Sequence, residues 1–343
     1  MRRGSLSFIA GQMKKQKDVV KAHLTGETVL VLGANTGIGL EASKHFASMN
    51  PARLIMACRS ESKGKAAVEK LRADTGYAKA EVWIVDLADF ASVTRFADKF
   101  EQDGGRLDIL VEDAGMGPSS KYESTTDGWE ASLQVNCLST PLVALRLLPT
   151  MIRTGQEHCT TPRIVVVSSE MHYYVDIEKS VCKKPGIIKT LGSSEYCTKK
   201  IMANRYRVTK LLNVFFVRAL NARLLSSTPL IVNAVNPSYC ASDLRRGFTG
   251  ITAAFDRLTE KCLAFSPEMG SRRLVWAAVG EPEQPNQLRG EYINACVVEE
   301  VSDFVLAHGK VQDSIWDESV EMLGQVDPKV TVNVDKYLST VIA

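Results

Sequence analysis

The feature that most constrains this chain is a run of glycines set between an apolar strand and an amphipathic helix. Val29 to Leu32 is apolar enough for a buried strand, Gly33, Gly37 and Gly39 follow, and Leu40 to Met49 repeats its apolar positions at helical spacing. Glycines let backbone N–H groups approach an anion closely, and the positive end of a helix dipole favours the charge. Strand, turn and helix therefore suit the diphosphate of a dinucleotide. Alone, the pattern also fits a tight strand-to-helix turn with no ligand, so the rest of the chain must decide.

Short apolar runs alternate with helical patterns along most of the sequence. The spacing predicts strands over Arg53 to Cys58, Val82 to Val85, Leu107 to Val111, Ile164 to Val167, Leu230 to Val235 and near Tyr292 to Val298. Helices are predicted over Lys63 to Thr75, Ala91 to Glu101, Asp127 to Met151, Tyr206 to Leu225 and Gly270 to Val279. Such alternation implies right-handed crossovers and a parallel sheet flanked by helices, a single doubly wound Rossmann-type α/β domain. The domain is expected over 26–300, after a lead-in over 1–25 and before a C-terminal extension over 301–343 that ends in a surface helix, Ser314 to Leu323. Residues 170–204 and 239–267 break the periodicity and are expected to form the substrate loops.

Composition excludes several classes. A net charge of +3 over 343 residues, with the basic residues scattered, gives no reason to expect a nucleic-acid partner. The basic run Lys14-Lys15-Gln16-Lys17 reads as a solvated face rather than a membrane contact. No apolar run reaches the ~18 residues of a membrane span and no signal peptide is evident, so a cytoplasmic protein is expected. Eight dispersed cysteines, without a C-x-x-C pair or histidines at ligand spacing, read as reduced thiols, and no metal site is expected.

Three further features carry chemistry. The glycine spacing Gly33-x-x-x-Gly37-x-Gly39 is wider than G-x-G-x-x-G. Tyr206 and Lys210 lie one turn apart at the head of a helix and so share a face. Ser169 ends a predicted strand, and Asn136 lies inside the long helix before it. In a doubly wound sheet these strand ends meet at the carboxyl edge, where ligands bind.

With these residues in this order, the chain resembles the short-chain dehydrogenase/reductases from about Gly26 to Val298. The run Ala57-Cys58-Arg59-Ser60 and the insertion before Tyr206 are most similar to the retinol-dehydrogenase-like branch, with the texture of fungal members, some of which serve secondary metabolism. The resemblance implies a catalytic set of Asn136, Ser169, Tyr206 and Lys210. Hydride transfer to a carbonyl leaves an alkoxide, which needs a proton from a group more acidic than a phenol of pKa ~10. A cationic Lys210 would lower the Tyr206 hydroxyl, Ser169 would hydrogen-bond the substrate oxygen, and Asn136 would fix a water relaying protons from Lys210. Ser168 is the rival of Ser169. Tyr196-x-x-x-Lys200 repeats the tyrosine motif but precedes no apolar helix, so Tyr206 takes the role. His172 reads as a pocket-wall or structural histidine, and Met171, Tyr173 and Tyr174 as residues of the substrate mouth or of ordinary packing.

The cofactor set implied is Gly33, Asn35, Thr36, Gly37, Ile38 and Gly39 at the glycine turn, with Asp113, Ala114, Gly115, Tyr206, Lys210 and Pro237, and Ser238 after Pro237 would lie close to the nicotinamide. Asp86 matches the residue that bonds the adenine amino group, with Leu87 beside the ring, and Ser242 matches a hydroxyl residue near the carboxamide or diphosphate. Where an acidic residue would hold the ribose of NAD, this chain has Arg59, with Lys63 four residues on; two cations there favour the 2′-phosphate of NADP(H). The expected activity is NADP(H)-dependent reduction of a ketone or aldehyde on a mid-sized, fairly apolar small molecule, such as a secondary-metabolite intermediate. A catalytically weak nucleotide-binding or scaffold protein is the alternative, and a homodimer is left open. Three residues depart from the family: Leu32 for a threonine, Asp113 for an asparagine and Ser238 for the glycine after Pro237. A carboxylate at position 113 must be solvated, protonated or paired.

Overall fold

Thr28–Leu32 (β1), five consecutive buried residues, runs through the middle of an eight-stranded sheet in a computed structural model of the chain. The structure describes residues 5–13, 16–103, 105–119, 121–242, 259–281 and 283–339. Arg53–Cys58 (β2) and Ala80–Ile84 (β3) lie to one side of β1. Ile109–Glu112 (β4), Arg163–Val167 (β5), Ile231–Asn236 (β6), Tyr292–Asn294 (β7) and Val297–Glu299 (β8) follow on the other. The order β3-β2-β1-β4-β5-β6-β7-β8 reverses between β1 and β4, which opens a crevice at their carboxyl ends. Strands β1 to β7 pair in parallel, as the alternating pattern implies.

The one strand read near Tyr292 to Val298 is a hairpin, with β8 antiparallel to β7. Ala295 and Cys296, both at positive φ (51° and 58°), make its two-residue turn. Such turns usually announce themselves with Asn-Gly or Asp-Gly, so this one carried no sequence signal.

Helices cover both faces. Gly37–Ser48 (α2), Glu61–Thr75 (α3) and Pro267–Val279 (α11) pack on one, around Leu40, Phe46, Leu71 and Leu274. Phe90–Gln102 (α4), Ser139–His158 (α6) and Arg205–Arg223 (α10) pack on the other, around Phe96, Leu147 and Phe215. Ala131–Leu133 (α5) and a π turn, Gln134–Leu138, lead into α6. This stretch, 131–158, is long and apolar enough to cross a membrane, but 94% of its apolar window is buried in the protein, so it is a core helix.

Both ends of the chain pack onto the domain, and the C-terminal end departs from the sequence reading. Ser5–Gln12 (α1) is a helix of the lead-in, and Gln12 is buried against the domain. The extension holds Asp303–Ala307 (α12), Gly309–Val326 (α13) and Pro328–Tyr337 (α14) rather than one surface helix. Ile315, Trp316, Leu323 and Val330 join the core that α6 and α10 line, so α13 and α14 close over that face. Fully buried Arg146 of α6 fastens the closure: it donates to Asp98 at 2.7 Å and Glu101 at 2.8 Å on α4, and to Asp327 at the head of α14.

Residues 170–204 are not structureless. They hold a 3₁₀ turn, Glu170–Tyr174, and the short helices Lys179–Cys182 (α7), Ile187–Gly192 (α8) and Lys199–Met202 (α9). Ile187, Ile188 and Leu191 anchor the segment in the core. Of the second loop, 239–267, residues 243–258 lie outside the described residues.

Candidate active site

The crevice is built first by backbone sterics. Gly33 sits at φ +83°, and a Cβ there would lie 2.8 Å from the Cα and N of Ala114, so only glycine fits. A Cβ on Gly39 would meet the Gly33 oxygen at 2.6 Å and Asp113 Oδ2 at 2.8 Å. Around Gly37, at φ +59°, no atom lies within 4 Å of a Cβ position. Thr36 enters α2 extended and makes no capping bond with its side chain, so the helix N-terminus is not closed by its own cap. Asn35, Thr36 and Ile38 are partly or fully exposed beside it. A crowded turn next to an open helix end fits a bound diphosphate.

Asp113 resolves as a paired carboxyl. It accepts the Gly39 N–H and faces the charge of Lys210; burial nevertheless pushes it up to about 6, against the opposing pull of Lys210 and the amide. Its own N–H donates to Leu32 O at 3.2 Å, so backbone ties β4 to β1, and Leu32 is a fully buried core residue. Glu112, which sequence reasoning did not single out, is buried in β4 with no hydrogen-bond partner among the described residues. Burial drives it well above the usual carboxylate range, toward the neutral acid. Ala114 and Gly115 continue the wall, with Gly115 close to Asn136.

The residues expected to carry proton transfer meet at the same edge. Arg205, almost fully buried, opens α10: it donates to Leu191 O at 2.5 Å, and its Nε lies 3.2 Å from Glu130 Oε2. Glu130 in turn accepts from the N–H groups of Ser132 and Leu133 at 3.0 and 2.9 Å. That clamp fixes the first turn of α10, where Tyr206 is half-buried and Lys210 Nζ lies 5.6 Å from its ring centroid. Lys210 Nζ donates to Val167 O at 2.7 Å, and burial lowers its pKa to about 8. The paired serines separate cleanly. Ser168 is buried and donates to Lys210 O at 2.9 Å, while half-buried Ser169 accepts from Met171 N–H at 3.2 Å. The Ser169 hydroxyl hydrogen meets no acceptor among the described residues, leaving it for another oxygen.

Asn136 lies in the π turn, a backbone feature frequent at functional sites. Its Oδ1 accepts from Met116 N–H at 2.7 Å, and its Nδ2 donates to Met116 O at 3.0 Å and Thr209 Oγ1 at 3.1 Å. Both amide hydrogens are therefore used, and only the second lone pair of Oδ1 remains for a relay water. Thr209 closes the link by donating to Tyr206 O at 2.8 Å. Neither Thr209 nor the Arg205–Glu130 pair carried a sequence signal, since an ordinary threonine and a pair 75 positions apart look like any others.

Tyr196 packs against the core while Lys200 is exposed on α9, so the duplicate motif is not brought together at the crevice. His172 is fully buried between Tyr173 and Tyr292, at ring distances of 4.0 and 4.5 Å, and its Nδ1 lies 2.8 Å from Ser169 O. It is a structural histidine. Tyr173 is buried too and does not face the mouth; Met171 and Tyr174 are half-buried near it.

At the other end, Arg59 follows β2 and Lys63 stands in the first turn of α3, where Ser60 caps by accepting from Lys63 N–H at 3.4 Å. Both cations are exposed, and neither side chain has an ion pair among the described residues. Asp86 accepts from Ala88 N–H at 3.0 Å beside buried Leu87. Pro237 is buried after β6, Ser238 sits at φ +75°, and Ser242 N–H donates to Glu260 at 3.1 Å.

Residues 27–179 match the family model of short chain dehydrogenases. Over 333 residues the chain is 32% identical to the short chain dehydrogenase/reductase dmxR8 of Cryptosporiopsis sp., covering 96% of this chain and 100% of that protein. The chain belongs to the short-chain dehydrogenase/reductase family. Another fungal relative, the short chain dehydrogenase sol3 of Alternaria solani, is 34% identical over 290 residues, 84% of this chain and 98% of that protein. The fold is also that of a solved actinorhodin polyketide ketoreductase variant with NADPH (TM-score 0.57, 22% identity, 80% and 97% of the two chains). A short chain dehydrogenase from Salmonella enterica superposes similarly (TM-score 0.59, 20% identity, 81% and 99%). As a member of this family the protein is an oxidoreductase that interconverts an alcohol and a carbonyl on a small molecule with a nicotinamide cofactor.

Proposed function

We propose that this short-chain dehydrogenase/reductase uses NADP(H) and reduces a ketone or aldehyde on a mid-sized, fairly apolar metabolite. The observation that carries the cofactor choice is the pair of exposed cations, Arg59 and Lys63, just past the carboxyl end of β2, with no ion pair among the described residues. A 2′-phosphate there would gain charge-assisted bonds that NAD cannot offer. The glycine turn, with Asp86 and Leu87 on the adenine side, would hold the rest of the nucleotide.

The bound nicotinamide would supply the hydride. The chain's own residues do the remainder. Ser169, whose hydroxyl hydrogen meets no acceptor among the described residues, donates to the carbonyl oxygen and fixes its direction. Tyr206 passes its phenolic proton to that oxygen as negative charge develops. Lys210, one turn below, makes the phenol a better acid while it is cationic. Asn136 acts mainly through Thr209 in holding this turn, with the second lone pair of Oδ1 left to seat one water.

Other parts of the reading rest on neighbouring features. A secondary-metabolite substrate is supported by the fungal relatives. Eight free thiols support a reducing, cytoplasmic setting. The closure of α13 and α14 over α6 and α10 favours a monomer over a homodimer paired through the tyrosine-bearing helix.

Oxidation of NADPH and of NADH across a panel of ketones and aldehydes tests the proposal. Turnover with NADPH preferred is the expected result. Tight NADPH binding with no turnover across the panel would instead favour a nucleotide-binding scaffold.

A further inference from the structure

The lead-in helix α1 meets the domain at the turn that follows β6. Gln12 is 7% exposed there; its Oε1 accepts from Ser238 Oγ at 2.6 Å, and its Nε2 donates to Tyr239 O at 3.1 Å. Ser238 is a non-glycine residue held at φ +75°, in the left-handed region that favours glycine. Its N–H donates to Asn236 Oδ1 at 3.0 Å, so the strained residue is gripped from both the backbone and the side chain. Around this latch, Phe8 sets its ring edge-on to Tyr239 at 6.0 Å. Arg273 donates to Gln16 Oε1 at 2.7 Å, and its other terminal nitrogen reaches Asn236 O and Asn294 Oδ1 at 3.4 and 3.2 Å.

A glutamine amide offers one acceptor and one pair of donors, and this turn presents one hydroxyl and one carbonyl to match. The serine that departs from the family's glycine and the buried glutamine of the lead-in account for each other. We infer that Gln12 is a positioning residue: it holds the Pro237-Ser238-Tyr239 turn in the conformation that places the turn against the nicotinamide end of the site. The inference rests on the proposed NADP(H) reading for its effect on rate, but the latch itself belongs to the protein without cofactor.

Two readouts test it. In the cofactor-free protein, Gln12→Ala should speed hydrogen exchange of the Ser238 amide, and Ser238→Gly added to it should relieve the turn's dependence on the latch, because glycine takes this φ unaided. In NADPH-dependent reduction, Gln12→Ala should lower kcat about tenfold through misplacement at the reacting end. Its NADPH dissociation constant should not change, since the glycine turn and Arg59 hold the far end. Gln12→Glu, which keeps the acceptor and loses the donor, should fall between; Gln12→Ala with Ser238→Gly should recover most of kcat. Unchanged exchange at Ser238 in Gln12→Ala overturns the latch. Faster exchange with unchanged kcat, or a loss of kcat that Ser238→Gly does not rescue, overturns the positioning role. A wild-type protein that turns over no carbonyl would count against the proposed function, while the exchange measurement would still decide the latch.

Discussion

The glycine turn and the C-terminal cap are two regions fixed by opposite means. At Gly33 and Gly39 the geometry is imposed by backbone: Ala114, the Gly33 oxygen and the Asp113 carboxyl leave no room for a Cβ. In the cap it is imposed by side chains: Arg146 gathers Asp98, Glu101 and Asp327 across three helices, and Lys329 bonds the same two α4 carboxylates at 2.8 and 2.7 Å. A backbone constraint admits one residue type, so it serves the site that must accept a ligand repeatedly in one pose. A side-chain constraint is built from exchangeable parts and serves closure. The contrast predicts that the two regions fail separately.

The largest effect should come from breaking the cap. Arg146→Ala empties a buried site, strips buried Asp327 of its cation and leaves Asp98 and Glu101 to Lys329 alone, and unfolding in urea should show a loss of about 3 kcal/mol, in line with removing one member of a buried ion cluster. Cofactor affinity measured well below the melting point should not move. The converse is Arg59→Ala: stability should hold, while the NADPH dissociation constant rises about 10- to 100-fold, the worth of charge-assisted bonds of about 1.5–3 kcal/mol, and that for NADH scarcely changes. Equal losses for both nucleotides would remove the 2′-phosphate from the account.

The smallest and most diagnostic effect lies at Asp113. Its folded pKa of about 6 stands above the value of an unfolded aspartate, because burial outweighs Lys210 and the Gly39 amide. Its contribution to stability is therefore present at low pH and is lost as pH rises through about 6. An ionised carboxyl beside the open end of α2 also repels a diphosphate. Asp113→Asn should raise the melting temperature at pH 8 and tighten NADPH binding several-fold, with the two proteins converging only below about pH 4, where the unfolded carboxyl is protonated as well. A wild-type-minus-variant difference that stays flat with pH would contradict this assignment.

How much could be read from the sequence follows from the same contrast. Gly33, Gly37 and Gly39 and the Tyr206–Lys210 spacing are local, and strand β2 falls on the residues predicted for it, Arg53 to Cys58. Helix α3 begins two residues before the predicted Lys63 because Ser60 caps it, a small misreading of a real signal. What escaped is long-range or chemically ordinary. Arg146 and Asp327 are 181 positions apart, and Gln12 and Ser238 are 226 apart. Asp113 was legible as a problem, but its solution, a pairing with Gly39 and Lys210, required three segments to be placed together. The helices within 170–204 are too short for a helical period to show, and their anchors Ile187, Ile188 and Leu191 look like scattered apolar residues.

In the proposed reaction Tyr206, and not its duplicate Tyr196, delivers the proton at this crevice. The direct measurement is kcat for NADPH-dependent reduction of the best carbonyl found, in the wild type, Tyr206→Phe and Tyr196→Phe. Tyr206→Phe should lose about 10²- to 10⁴-fold in kcat, the usual span for removing a general acid, while Tyr196→Phe keeps its rate. Full activity in Tyr206→Phe would contradict the account.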